Sequence, residues 1–517
     1  MTLVTEQPAA AATDPARTRP GLLLRVLVGL ALAVGIAVRL HSQSAVWLDE
    51  ALSINIARLP LSELPAALRQ DGAPPLYYLL LHGWMAVFGT GTTAVRLLST
   101  LFGLAAVGLA WLVGTRLRDS TTGWVAALLF AATPFLVRYS TETRMYALVT
   151  VLVLLGVLAV ERALREPTLR RLWPVSVLTA LLLLTHYWSL YLLAVLGLLL
   201  LGLSRQSSTA RRVLVAQVAG GVLFLPWLPS FLFQLRHTGT PWVLPPKPFA
   251  LVDALQMWTG GRTLAGGLLA LLLAGLVVLA LLGRRSGAGV LLTRPVDRLA
   301  GALVVVAVGT LVLGLGLAQL TAAGYAPRYS SVAVVPFLLA AAIGSAVLPS
   351  RARVMLVGAA VLCGLVGSAQ IPLSHKRTQA AQIARPLRAA LQPGDLVVYC
   401  PDQTGPAVSR LLPTGTDQVV YPTLGRPERV DWRDYAQRNA KADPQAFART
   451  VLARTRGTIW LVSRGGHLTF GRQCEDLRAA LLAGRGSTET VVGQRRDYAE
   501  RLDLRRYPAT TATAATA

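Results

Sequence analysis

Long apolar runs separated by short arginine-bearing connections fill the chain to about residue 372, after which brief apolar stretches alternate with amphipathic ones. Leu22 to Leu40 is long enough, at a rise of about 1.5 Å per residue, to cross a hydrocarbon slab of ~30 Å. Its two charges, Arg25 and Arg39, lie near the ends, where long side chains can snorkel to water. Similar runs over 92–115, 121–138, 145–161, 173–187, 189–203, 212–229, 263–283, 299–320, 332–348 and 352–372 bring the expectation to about eleven spans. Pro75 to Phe88 is too short to cross comfortably and is expected as a helix lying at, or dipping into, the outer face. Within 51–71, Leu52, Ile56, Leu59, Leu64, Ala67 and Leu68 recur at helical spacing, interrupted at Pro60 and Pro65. That pattern predicts short amphipathic helices on the membrane surface.

From about Leu373 the pattern becomes that of a soluble domain. Residues 396–399, 419–421, 459–462 and 490–492 read as strands, and 380–391, 444–454 and 474–482 as helices, predicting a small α/β domain over 373–508. Cys400 ends one strand and Cys474 opens one helix; in an oxidising compartment they can pair, and two free thiols are the alternative. The alanine- and threonine-rich tail, 509–517, reads as disordered. Residues 1–20 are polar and read as a disordered cytoplasmic segment. With the arginines around it the first apolar run could pass for a signal peptide, but it exceeds a typical h-region, so a retained first helix is expected.

Charge fixes the orientation. With the N-terminus inside, each inner connection carries arginines: Arg116 and Arg118, Arg162 to Arg171, Arg205 to Arg212, Arg284 to Arg298, then Arg351 and Arg353. This is the positive-inside pattern, and it places 41–91, the turn at 138–146, 230–262, 321–331 and the C-terminal domain on the outer side. Hydrophobic residues make up 54% of the 517 residues and mean hydropathy is +0.53, which identifies a polytopic membrane protein with a soluble part. The formal charge of +25 is accounted for by loop anchoring rather than by nucleic-acid binding. The three cysteines show no metal-ligand spacing, so no metal site is predicted and no cofactor is required, although a divalent metal is not excluded.

Few acids face outward ahead of the soluble domain: Asp49, Glu50, Glu63, Asp71, Glu142 and Asp253. Asp49 and Glu50 follow the first span directly. Capping of a helix after Trp47 is one reading of the pair, and general-base catalysis is the other. In 138–146, Glu142 paired with Arg138 or Arg144 is one reading, and Arg144 meeting a phosphate while Glu142 orients it is the other. Arg328, with Tyr329 beside it, is a further outer cation. His186 ends a span on the same side, as a hydrogen-bonded interface residue or as part of a site.

Trp47-Leu48-Asp49-Glu50-Ala51, Asp71-Gly72-Ala73-Pro74-Pro75-Leu76-Tyr77-Tyr78 and Tyr139-Ser140-Thr141-Glu142-Thr143-Arg144-Met145-Tyr146 occur in order. They resemble the signature blocks of bacterial protein O-mannosyltransferase-like enzymes (glycosyltransferase family 39-like) within the C-type, or GT-C, membrane glycosyltransferases. Arg96-Leu97-Leu98-Ser99, Thr185-His186-Tyr187, Pro226-Trp227-Leu228-Pro229 and Pro327-Arg328-Tyr329 are similar to further family positions. The likeness covers roughly 21–350. Family members usually carry His or another polar residue before Pro-Pro, where this chain has Ala73, so no role transfers to that position and Asp71 is the nearest substitute.

The resemblance implies a mainly α, GT-C-like membrane bundle over 21–372, with a first outer loop at 41–91 and the small extracytoplasmic α/β domain behind it. It implies inverting transfer of a mannose- or arabinose-like sugar from a polyprenyl-phosphate donor to a hydroxyl of an envelope glycan, glycolipid or protein at the outer face of the cell membrane. Asp49 is then the expected base, Glu50 orients it or the acceptor, and Arg144, Arg328 and Tyr329 face the donor phosphate. Glu142, Tyr146, His186 and Asp71 support them. A transporter or flippase of lipid-linked sugars and a non-catalytic envelope-assembly scaffold are the competing classes. Against the first, the charges gather at span ends rather than mid-span.

Overall fold

A computed structural model describes residues 22–40, 44–241, 243–247, 249–286, 289–292, 297–374 and 376–510, the side chains of 371–374 excepted. The expectations for 1–20 and for nearly all of the tail fall outside these residues. Among the described residues, eight helices are long and apolar enough to cross a membrane, or nine if the bent pair Ser120–Ala132 and Pro134–Ser140 forms one span. The expected total of about eleven is not reached by this measure. Leu169–Leu183 and Ser189–Ser204 have only 15 and 16 residues, short of the ~20 that a full crossing requires.

The bundle is built around Ser331–Ser345, whose every residue is buried, as expected of a helix apolar on all sides. Leu264–Leu282, Arg298–Leu320, Ser120–Ala132 and Tyr146–Arg165 surround it.

The bend of 62° between Ser120–Ala132 and Pro134–Ser140 has a covalent cause, since Pro134 has no N–H to continue the ladder. The freed carbonyls lie where no lipid can satisfy them. Arg39 donates to Phe130 O at 2.8 Å and Ala131 O at 2.6 Å, and Ser368 Oγ donates to Ala132 O at 2.9 Å. Arg39 is therefore not snorkelling to water, as its place near a span end suggested, but is 2% exposed and caps the broken helix.

The first long connection folds into Leu48–Ala57, Leu64–Asp71 and Leu76–Phe88. The expectation of surface helices fails for the first of these: Glu50 to Ala57 are all buried. Its Ala51, Ile54 and Ile56 belong to an apolar core that runs from the bundle into one face of the C-terminal sheet, while Leu52, with Leu48 packed nearby, belongs to a second core within the C-terminal domain. A helix pressed between two apolar bodies needs apolar residues on both faces, which is why its sequence mimics a surface helix only in part.

In the C-terminal domain five strands lie in the order 417–420, 396–400, 459–463, 503–507, 489–492. The first three are parallel, with Val398 opposite both Val419 and Leu461. The last two run antiparallel to their neighbours. The central strands Leu396–Cys400 and Ile459–Ser463 are buried throughout, as parallel strands covered on both faces are. Cys400 and Cys474 form a disulfide. Lys376–Thr378 and Tyr498–Glu500 form a separate parallel pair, with Thr378 opposite Glu500.

Helix Thr92–Leu117 approaches Pro134–Ser140 at Gly103, where an added Cβ would collide with the Ser140 side chain. Gly103→Ala should therefore push apart these two helices. Thermal unfolding in detergent should show a loss of about 1–3 kcal/mol, whereas Gly108→Ala, one and a half turns along and facing open space, should unfold like the parent.

Candidate active site

Asp49 and Glu50 are adjacent in the first turn of Leu48–Ala57, where carboxylates are favoured by the helix dipole. Consecutive helical side chains point about 100° apart, so the two acids face different surroundings.

Glu50 is wholly buried. Arg96 holds it in a fork, Nε to Oε1 at 2.7 Å and a terminal nitrogen to Oε2 at 2.6 Å. The Thr143 N–H donates to Oε1 at 3.0 Å, the Trp47 N–H to Oε2 at 3.4 Å, and Arg377 stands 3.6 Å from Oε1. Burial alone pushes this carboxyl up, but the hydrogen bonds and charge of Arg96, aided by Arg377, hold it below the usual carboxylate range. A group so enclosed touches neither Asp49's carboxylate nor a ligand.

Asp49 instead keeps part of its side chain in contact with solvent. Its Oδ2 lies 3.2 Å from an Arg328 terminal nitrogen, with the two side chains 14% and 22% exposed, so both can be reached from outside. Arg144 donates to Ser53 Oγ at 2.9 Å and to the Asp49 carbonyl at 3.4 Å, on the same helix. Tyr329 stacks beside the Arg328 guanidinium, 5.7 Å from ring centre to Cζ. The His186 ring lies 5.8 Å from the Tyr329 ring and 5.7 Å from the Tyr146 ring. The Trp188 N–H donates to His186 Nδ1 at 3.2 Å, which fixes the tautomer with the proton on Nε2. Apart from the ion pair, Asp49 Oδ2, Arg144 Nε, Arg328 Nε and the Tyr146 hydroxyl take no hydrogen bond among the described residues, although all are buried atoms. Unsatisfied polar atoms of both signs gathered beside a partly exposed ion pair are what a polar ligand would complete.

The chain unwinds between Ser140 and Tyr146, and its backbone groups find partners on other segments. Thr100 donates to Ser140 O at 2.9 Å, Ser99 to Arg144 O at 3.2 Å, and Arg377 to Thr141 O at 2.7 Å. Glu142 is buried with Arg138 at 3.2 Å and Arg377 at 3.8 Å, on the Glu50 side rather than the Asp49 side. Asp71 accepts from the Tyr78 hydroxyl at 2.9 Å. Loss of water pushes its carboxyl up, against the pull of Arg144. Ala73 is buried. Among the described residues, no group of three or more His, Cys, Asp or Glu is placed to hold a metal ion.

Thus Asp49, Arg144, Arg328, Tyr329, Tyr146 and His186 come together, while Glu50 and Glu142 form a buried ion network with Arg96, Arg138 and Arg377. Sequence reasoning gave no role to Arg96 or Arg377. An arginine in the first turns of an apolar span demands an acid, and that signal was readable at Arg96. Arg377 lies after the last span and carries no local signal.

The family model for dolichyl-phosphate-mannose-protein mannosyltransferases matches residues 72–230. ArnT from Cupriavidus metallidurans in the apo state superposes with a TM-score of 0.50 at 16% identity, covering 94% of this chain and 98% of that one. The fold is like that of ArnT. The resemblance expected from the signature blocks is met by the family model over residues 72–230, and the structure is mainly helical, with a small C-terminal sheet region. ArnT bound to undecaprenyl phosphate matches with the same identity and coverage at a TM-score of 0.48. The S. cerevisiae protein O-mannosyltransferase complex bound to the sugar donor matches at 19% identity and a TM-score of 0.33, covering 44% of this chain and 36% of that one. No curated protein matches the sequence.

Removing one partner of a buried ion pair strands the other. Arg96→Ala should cost about 3–5 kcal/mol in unfolding experiments, and Glu50→Gln added to it should restore part of that loss. Because Glu50 is held below its ordinary value, its contribution is present above the usual carboxylate range and is lost as pH falls through the folded value.

Proposed function

We propose that the protein transfers a sugar, mannose- or arabinose-like, from a polyprenyl-phosphate donor to a hydroxyl acceptor of the cell envelope, with inversion, at the extracytoplasmic face. The observation that carries this reading is the reachable Asp49–Arg328 pair, with Arg144 anchored on the same helix, at one end of a GT-C bundle. The arginine-rich connections at the opposite end support the assignment of that end to the cytoplasm.

In this mechanism the acceptor oxygen attacks the anomeric carbon as the carbon–oxygen bond to the phosphate breaks. The acceptor proton passes to Asp49 as the new bond forms, because a hydroxyl is a poor nucleophile near neutral pH. The lipid phosphate departs with an additional charge, which Arg328 and Arg144 stabilise where water is scarce. The ion pair gives the two halves of the site a common step. While Arg328 holds Asp49, that carboxylate oxygen is occupied; a donor phosphate that takes over Arg328 leaves it free to accept a proton. Tyr329 and Tyr146 wall the site, and His186, donating from Nε2, is available to a sugar or phosphate oxygen. Glu50 acts at a distance, fixing the helix that carries Asp49. Inverting chemistry needs no covalent sugar intermediate, so one free carboxylate suffices.

Purified protein offered a panel of polyprenyl-phosphate sugars, with release of free lipid phosphate as readout, tests the class and names the sugar. With the preferred donor, Asp49→Asn should fold normally and lose transfer by ~10²-fold or more; near-normal turnover would remove Asp49 from the base role. Arg328→Ala and Arg144→Ala should each weaken donor use, by about tenfold or more. If both variants bind and turn over donor normally, the phosphate lies elsewhere.

A further inference from the structure

The turn that bears Arg144 is fastened at its start by the C-terminal domain. Arg377 lies on the strand Lys376–Thr378 and is 8% exposed. It donates to Thr141 O at 2.7 Å and to Thr141 Oγ1 at 2.5 Å. Thr141 directly follows the helix Pro134–Ser140, at an end where the helical ladder has no donor for a carbonyl. Glu50 and Glu142 do not account for a third arginine at this place. Each has a nearer one, Arg96 at 2.6 Å and Arg138 at 3.2 Å, against 3.6 and 3.8 Å for Arg377. Charge is balanced without Arg377, and its short hydrogen bonds go to Thr141. Its mounting is rigid. The strand pairs with Tyr498–Glu500. The next residue but one, Gln379, accepts from the N–H groups of Arg495 and Leu502, both at 3.0 Å, and donates to Gly493 O at 3.1 Å.

Resting on the function proposed above, we infer that Arg377 is a positioning residue for the donor phosphate. By holding Thr141 it sets where the turn presents Arg144, making the C-terminal domain a working part of the site. The turn has no helical ladder of its own between these two residues. Its other ties come from the bundle: the Thr143 N–H to Glu50 at 3.0 Å and the Ser99 hydroxyl to Arg144 O at 3.2 Å. Without Arg377 a buried carbonyl and hydroxyl lose their donors, and the backbone leading to Arg144 is free to shift. A displacement of about 1 Å is enough to spoil a phosphate contact. Methionine at 377 keeps the volume and strands no carboxylate, since Glu50 retains Arg96 and Glu142 retains Arg138. It therefore removes the tie to Thr141 without leaving a buried charge unpaired. Lysine at 377 puts back a cationic donor within reach of Thr141 O.

The test is a double-mutant cycle on the full-length protein in detergent, with undecaprenyl phosphate as the probe, its Kd as the readout and a thermal melt of each variant. Arg377→Met should weaken binding by about fivefold or more, and Arg144→Ala by about tenfold or more. Because Arg377 acts through Arg144, Arg377→Met added to Arg144→Ala should cost no more than about a further twofold. Arg377→Lys should bind within about threefold of the parent. Parental binding by Arg377→Met overturns the inference, and so does Arg377→Lys binding as weakly as Arg377→Met. A loss as large in the Arg144→Ala background as in the parent, or one that only follows the fraction unfolded in the melt, shows a merely structural arginine and also overturns it. If Arg144→Ala itself binds the probe like the parent, the phosphate assignment has failed. That result is distinct from the others, and the inference falls with it.

Discussion

A carboxylate with no water around it must be met by cations and hydrogen-bond donors, and one end of this bundle is arranged by that requirement at Glu50. Arg96 supplies a two-pronged bond from the start of the second long helix, the Thr143 N–H supplies a third donor from the unwound turn, and Arg377 closes the ring from beyond the last span. Three segments far apart in sequence are thereby tied to one side chain. Asp49, one residue earlier and about 100° around the helix, is left partly exposed and paired with Arg328. The buried pair fixes the helix that carries the partly exposed one.

The same economy governs the broken span. Pro134 interrupts the ladder, and the carbonyls it frees are taken by Arg39 and Ser368. The chain beyond the break runs at a steep angle and unwinds into the turn that bears Arg144. A kink in lipid is stable only if every freed group finds a partner, and here those partners come from the first and last long helices, which draws the ends of the bundle's sequence into the support of its working face.

The apolar periodicity made the bundle legible because lipid and buried core both demand it, and the strands of the C-terminal sheet were legible wherever both of their faces are buried. Asp503–Tyr507 was missed because its charges are satisfied by neighbours such as Arg478 and Ser463 that only the fold supplies. In the site, Asp49, Arg144 and Arg328 stood out as charges at span ends with no anchoring reason. Adjacency hides the turn between Asp49 and Glu50, so the sequence could not show that Glu50 faces a buried ion network; nor could it show Arg377, which reaches Glu50 and Glu142 from beyond the last span. Arg39 was read as snorkelling because a helix end implies water only when nothing else packs there.

The account turns on an exchange of partners at Arg328, from Asp49 to the donor's phosphate. A structure determined with a polyprenyl-phosphate sugar bound tests this directly. It should show phosphate oxygens within hydrogen-bonding reach of Arg328 and Arg144, Asp49 Oδ2 released toward the anomeric carbon, and Glu50 still forked to Arg96. A donor bound elsewhere, with the Asp49–Arg328 pair intact, would contradict it.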